Sequence, residues 1–193
     1  MSAPSKQSLR TQLRRRRREL DARAQKQRGE SFKQRVLRTP EYQRAGAIAG
    51  YMPVHGELDI RPLLRSAIEN GRAVYLPVID GASMWFARWN GRTPPIDRTS
   101  NLPQPLKRDT RLLNARQLDL VFVPLVGFTA QGARLGQGGG YYDRMFAVQK
   151  GARWRRPTLI GAAHDLQQVA HIPTDPWDVP LPCIITNQFT FRQ

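Results

Sequence analysis

The chain has little sulfur, little histidine and little acid: one cysteine, three histidines, and 15 acidic residues against 31 basic ones. A single cysteine, Cys183, excludes an internal disulfide and fits a reducing compartment. In the run Pro182-Cys183-Ile184-Ile185 it reads as a buried small apolar residue, with nothing nearby to activate a thiolate. His55, His164 and His171 lack the spacing of a metal site, and no Ser/His/Asp array can be argued around them. Each is expected to be structural or superficial, with His164 nearest to a site because it follows a predicted strand. No window approaches the roughly 18 apolar residues of a membrane span. Nor is the basic start followed by the roughly 7 to 15 apolar residues of a secretory signal, so the expectation is a soluble, cytoplasmic protein.

What is there fits a folded enzyme or a binding module. With 193 residues and 40% apolar content, one domain over residues 1–193 is expected. The net charge of +16 is unevenly placed: residues 1–38 hold 13 Lys/Arg against 3 Asp/Glu, a net +10. Such a field concentrates anions, whether nucleic acid, nucleotides or polycarboxylates, without choosing among them.

Within residues 5–37, Leu9, Leu13, Leu20, Phe32, Val36 and Leu37 are spaced for one helical face, which predicts one long or broken amphipathic helix in the basic segment 1–38. The arginine run 14–18 reads most simply as a solvated helix face, with anion steering and nucleic-acid binding as alternatives. Thr39-Pro40 ends this segment and opens a short helix. Apolar runs predict strands over 45–52, 73–79, 83–89, 120–126, 158–163 and 183–186. Helical spacing runs from Ile60 to a stop at Asn70-Gly71, and residues 141–150 can also be helical. Trp85, Phe86 and Trp89 read as core, although Met84 and Phe86 equally suit a pocket wall. Asn90-Gly91 marks a tight turn, and residues 91–105, with four prolines, a surface loop. Strands that alternate with helices and lack strict two-residue polarity imply an α/β fold with a mostly parallel sheet covered on both faces.

The segment RLGQGGGYYDR, residues 134–144, lies between a predicted strand and a predicted helix, where ligands of parallel sheets gather. Gly132, Gly136, Gly138, Gly139 and Gly140 let backbone N–H groups approach an anion, and the helix from Tyr141 adds its positive end. Arg134 offers a fork of donors to phosphate, and Asp143 can hold magnesium through one oxygen. No Lys-Ser or Lys-Thr follows the glycines, and the dinucleotide spacing is missing, so neither a P-loop nor a dinucleotide fingerprint is present. A glycine cluster by itself also suits a tight surface loop. Glu57 and Asp59 by themselves read as a loop acid and a helix cap.

GARLGQGGGYYDR, residues 132–144, resembles the signature of the 5-formyltetrahydrofolate cyclo-ligase family, also called methenyltetrahydrofolate synthetases. KQSLR at 6–10, YMPVHGELD at 51–59, FVPLVGF at 122–128 and DPWDVPLPCIIT at 175–186 extend the resemblance in order along the chain. It implies a three-layer α/β/α fold and an enzyme that converts 5-formyltetrahydrofolate to 5,10-methenyltetrahydrofolate with ATP and Mg2+. In that reaction ATP phosphorylates the formyl oxygen, nitrogen 10 attacks the activated carbon, and phosphate leaves.

Residue by residue, the resemblance implies that Lys6 and Arg10 contact ATP together with Arg134, Leu135, Gly136, Gln137, Gly138, Gly139, Gly140, Tyr141 and Tyr142. Arg134 and Tyr142 would act in catalysis, and Asp143 and Asp178 would bind magnesium. Met52, Glu57, Gln137, Gly138, Gly139, Gly140 and Tyr141 would take the folate, with Glu57 accepting hydrogen bonds from the pterin ring. Two positions depart from the pattern: Gln137 stands where an aromatic is common, and Pro182 where many relatives carry a second aspartate. The implied partners are ATP and the folate, with or without a polyglutamate tail, acting on a monomer away from membranes. Two rivals stand beside this reading. One is a polyanion- or RNA-binding module using residues 1–38; the other is a phosphate-using isomerase or acyl transferase that needs no ATP.

Overall fold

The basic start forms two helices, broken where Asp21 turns out of one and caps the next. The structure, a computed structural model, describes residues 4–94, 96–97, 100–106, 111–147 and 156–193. Helix α1 (Lys6–Arg18) is capped by the Ser5 side chain accepting from the Ser8 N–H, and α2 (Ala22–Leu37) by Asp21 accepting from the Ala24 N–H. Thr39 caps the short α3 (Pro40–Arg44), whose Pro40 sits in the first turn, where a missing N–H costs nothing.

The remaining helices are α4 (Arg61–Glu69) and α5 (Tyr141–Phe146). The strands are β1 (Ala47–Ala49), β2 (Ala73–Asp80), β3 (Ser83–Arg88), β4 (Leu112–Leu113), β5 (Leu120–Pro124), β6 (Gly127–Phe128), β7 (Arg134–Leu135), β8 (Thr158–Ala163), β9 (Cys183–Thr186) and β10 (Thr190–Arg192). Of the predicted helix over 141–150, Tyr141–Phe146 is helical in the structure, and residues 148–150 lie outside the described residues. Residues 134–135, expected in a loop, pair with Gly127 and Phe128 as an antiparallel two-stranded ribbon.

Eight strands form the main sheet in the order β10-β9-β8-β5-β1-β2-β3-β4. The central five, β9 to β2, run parallel, and antiparallel strands close both edges. Successive side chains on the parallel strands point to opposite faces, so each strand feeds two cores. Ile48, Leu120, Phe122, Ile160, Cys183 and Ile185 meet Phe32 and Val36 of α2 and Leu63 and Leu64 of α4. Ala49, Val121, Val123, Leu159 and Ile184 meet Phe146 of α5, Phe128 and Leu118 on the other face. Both faces are apolar because both are covered, which gives three α/β/α layers. Cys183 is buried among these residues, and burial pushes its thiol up to about 11, as an inert core cysteine requires. Leu9 and Leu13 of α1 pack instead into a small separate cluster with Val126, Leu135 and Ile172.

Candidate active site

A cavity of about 740 Å³ opens past the carboxyl ends of β1, β2 and β5, where the strand order reverses between β1 and β5. That volume is in the range that encloses a small-molecule ligand. One wall is α1, whose Lys6, Arg10, Arg14 and Arg18 recur every fourth residue and so share one face. Lys6 Nζ donates at 2.6 Å to both Asp175 Oδ2 and Asp178 Oδ2. Arg10 Nε donates to the Gly136 carbonyl at 3.0 Å. Arg14 Nη2 donates to the Gln137 carbonyl at 3.0 Å and to Gln137 Oε1 at 2.8 Å. The glycine loop is thereby strapped to the helix by arginines from successive turns.

The solvated-face reading of residues 14–18 holds for Arg15, Arg16 and Arg18 and is corrected for the other two. Arg17 is fully buried, with Nη1 donating to the Leu125 carbonyl at 3.2 Å and Nη2 to the His55 carbonyl at 3.1 Å. It continues the inward stripe of Leu9 and Leu13 at the next fourth position, a spacing legible in the sequence that the arginine run disguised. Because Arg10, Arg14 and Arg17 turn toward protein groups, the RNA-binding reading of this segment finds no support.

Opposite the glycine loop, Glu57 is 6% exposed in the turn that follows β1. The Val54 N–H donates to its Oε2 at 3.2 Å, and Gln137 Nε2 donates to its Oε1 at 2.6 Å. Burial raises the carboxyl's pKa against the opposing pull of the Val54 N–H, Arg17 and Gln137. Met52, Tyr141 and Met84 supply apolar wall beside it, and Tyr141 donates its hydroxyl to the Gly81 carbonyl at 3.3 Å. Tyr142 also lines the cavity; its hydroxyl is buried without a hydrogen-bond partner, and burial with the nearby Glu57 charge keeps it protonated.

Arg134 is nearly buried on β7. Its Nε donates to the Val179 carbonyl at 2.9 Å and its Nη2 to Asp143 Oδ1, which also accepts from the Val179 N–H at 3.1 Å. Part of the fork expected to face phosphate is therefore used to tie the glycine loop and α5 to the segment carrying Asp178. Burial lifts the Asp178 carboxyl, yet the Asp175 N–H, Lys6 and Arg134 outweigh it and hold the pKa below the usual value. Among the described residues no three His, Cys, Asp or Glu side chains gather into a metal cage. Asp143 and Asp178 both line the cavity, each paired with a cation, Arg134 for Asp143 and Lys6 for Asp178.

His164 lies behind the site. It is fully buried, its Nε2 stands 3.2 Å from the Gly56 carbonyl, and burial together with Arg28 lowers it to about 4, so it supports the Glu57 turn as a neutral ring. Phe86 and Trp89 are buried as core residues and Met84 reaches the cavity, whereas Trp85, expected in the core, is exposed on the other face of β3. The sequence reading assigned no site role to Arg14, Arg18 or Trp177, all of which line the cavity. Trp177, 65% exposed, carried its signal as an aromatic set between two aspartates in a proline-rich loop.

A row of cations facing a glycine loop, with a buried carboxylate among apolar side chains at the far end, suits a polyanion and a flat polar ring held together. The class is a two-substrate α/β enzyme with its site at the switch point of the sheet. The chain belongs to the 5-formyltetrahydrofolate cyclo-ligase family, whose sequence pattern matches residues 2–187. It is 34% identical over 186 residues to the 5-formyltetrahydrofolate cyclo-ligase of Haemophilus influenzae, covering 94% of this chain and 97% of the relative. To the Escherichia coli K12 protein of the same description it is 33% identical over 178 residues, covering 90% and 96%. Its fold is similar to the solved structure of Aquifex aeolicus 5,10-methenyltetrahydrofolate synthetase, with a TM-score of 0.81 and 26% identity over 97% of this chain and 92% of that one. The Mycoplasma pneumoniae synthetase structure shares the fold at a TM-score of 0.76, over 96% of this chain and 100% of that one.

Proposed function

We propose that this chain, acting as a single domain in the cytoplasm, cyclises 5-formyltetrahydrofolate to 5,10-methenyltetrahydrofolate with conversion of ATP to ADP and phosphate. The observation that carries the reading is one cavity lined together by Lys6, Arg10, the glycine loop and buried Glu57. An N-formyl group is a poor electrophile, so the γ-phosphoryl group of ATP passes to the formyl oxygen, nitrogen 10 closes the ring, and the oxygen leaves as phosphate. The formyl oxygen ends in the phosphate, and ADP carries away the other two phosphoryl groups.

The residues align and neutralise rather than react covalently. Glu57 accepts from pterin N–H groups, and Met52 and Tyr141 pack on the ring. Lys6, Arg10 and the remaining donors of Arg134 meet phosphate oxygens, with the backbone of Leu135, Gly136, Gln137, Gly138, Gly139 and Gly140 close behind. Tyr142 donates its unpaired hydroxyl to the oxygen that takes up charge. Asp143 and Asp178 would hold magnesium, which supplies charge neutralisation on the transferring phosphoryl group. Lys6 now bridges Asp175 and Asp178, so nucleotide binding exchanges those ion pairs for phosphate.

Purified protein with 5-formyltetrahydrofolate, MgATP and buffer should develop the methenyl absorbance and release phosphate in equal amount. Turnover without ATP, or none with it, overturns the reading.

A further inference from the structure

Gln137 sits where two opposite charges need one connector. Arg14 presents only donors; a carboxylate accepts only. Gln137 Oε1 accepts from Arg14 Nε at 3.2 Å and Nη2 at 2.8 Å, while Gln137 Nε2 donates to Glu57 Oε1 at 2.6 Å. Only an amide of this length serves both partners. Glutamate would repel Glu57, lysine would repel Arg14, and leucine would serve neither. The arginine also fixes which way the amide faces, because turning it over would point its NH2 at a guanidinium.

We propose, resting on the cyclo-ligase reading, that Gln137 is a positioning residue for the folate: anchored by Arg14, it clamps the Glu57 carboxylate in the orientation that receives the pterin ring. Gln137 holds Oε1 and the Val54 N–H holds Oε2, so one lone pair on each oxygen is used and the others remain for the ligand. The charged and titratable groups around Glu57 are Arg17 of α1, His55 of its own turn, Tyr51 after β1 and Tyr142 of α5. Of these Arg17 and His55 favour the carboxylate, as the Gln137 amide does, whereas burial opposes it; the two tyrosines, kept protonated beside the carboxylate, carry no charge against it. Removing the amide therefore makes the carboxylate both less fixed and harder to ionise. Gln137 itself is exposed, so substitutions there leave the core intact.

The test compares wild type, Gln137→Leu, Gln137→Glu and Arg14→Met in two measurements: equilibrium binding of 5-formyltetrahydrofolate without ATP, and kcat/KM for the folate across acidic to neutral pH. The clamp predicts that Gln137→Leu weakens folate binding by about three- to tenfold. It also predicts that the acidic limb of kcat/KM moves to higher pH, with KM for ATP changed by less than about twofold. Gln137→Glu should be worse than leucine despite its similar shape, and Arg14→Met should follow leucine more weakly. If wild type converts the folate while Gln137→Leu and Gln137→Glu bind it as tightly with an unmoved acidic limb, the clamp is wrong and the functional reading stands. A wild type that neither binds nor converts the folate removes both.

Discussion

Burial raises the pKa of Glu57, so holding it ionised at neutral pH costs folding stability. An acid whose folded pKa exceeds its unfolded value, here about 4.5, contributes its stability fully below that value and loses it as pH rises through the folded pKa. On the proposed function, the carboxylate is kept against that gradient at neutral pH because a pterin ring needs an acceptor. Glu57→Gln should therefore melt at the same or a higher temperature than wild type at pH 7, with the gain disappearing below about pH 4. In steady-state assays KM for the folate should rise about tenfold or more while KM for ATP stays close to wild type. A lower melting point at pH 7 would contradict the assigned environment of the residue. From the sequence alone Glu57 was a loop acid, and only the surrounding motif suggested a ligand, because nothing in its immediate neighbours announces burial. Arg17 was legible in principle through its spacing from Leu13. The Gln137 amide was not, since its partners lie 123 and 80 residues away in sequence.

Elements within longer periodic or apolar runs of sequence were readable: α1, α2, α4 and the parallel strands β1, β5, β8 and β9 fall within predicted segments, and β2 runs one residue past its own, to Asp80. Strands β4, β6, β7 and β10 have two or three residues each and exist because a neighbour offers a ladder, which no local pattern reveals. The close approach of α2 to the Glu57 turn was hidden for a similar reason. Gly29 sits in the middle of α2, where it costs about 1 kcal/mol relative to alanine by helix propensity. It stands there because a Cβ would lie 2.6 Å from the Asp59 carbonyl oxygen, which belongs to backbone and cannot swing aside. Gly29→Ala should thus destabilise the protein by about 1–3 kcal/mol in denaturant titration despite the better helix former. It should also raise KM for the folate, because Asp59 ends the stretch that positions Glu57. A stabilised variant would show that the helix and the turn are free to separate.

Over the whole molecule, the two large cores on the sheet contain no residue of the N-terminal helix α1. That helix is held by Leu9 and Leu13 in a cluster with Val126, Leu135 and Ile172, by Arg17, and by its straps to the glycine loop. No helix among the described residues is long and apolar enough to cross a membrane. A small satellite cluster supports less local stability than a core that spans five parallel strands. Opening of α1 is then a sub-global event whose free energy is smaller than that of the sheet, and every ligand that bridges α1 to the glycine loop adds to it. Backbone amides of α1 should exchange with deuterium faster than those of β5 and β8 in the free protein. Saturating MgATP should slow them by on the order of ten- to a hundredfold and leave the central strands almost unchanged. Equal protection of α1 and β8 in the free protein would refute this. On the proposed function the nucleotide then acts as a removable part of the fold, and the N-terminal helix is held more firmly the more of that nucleotide is present.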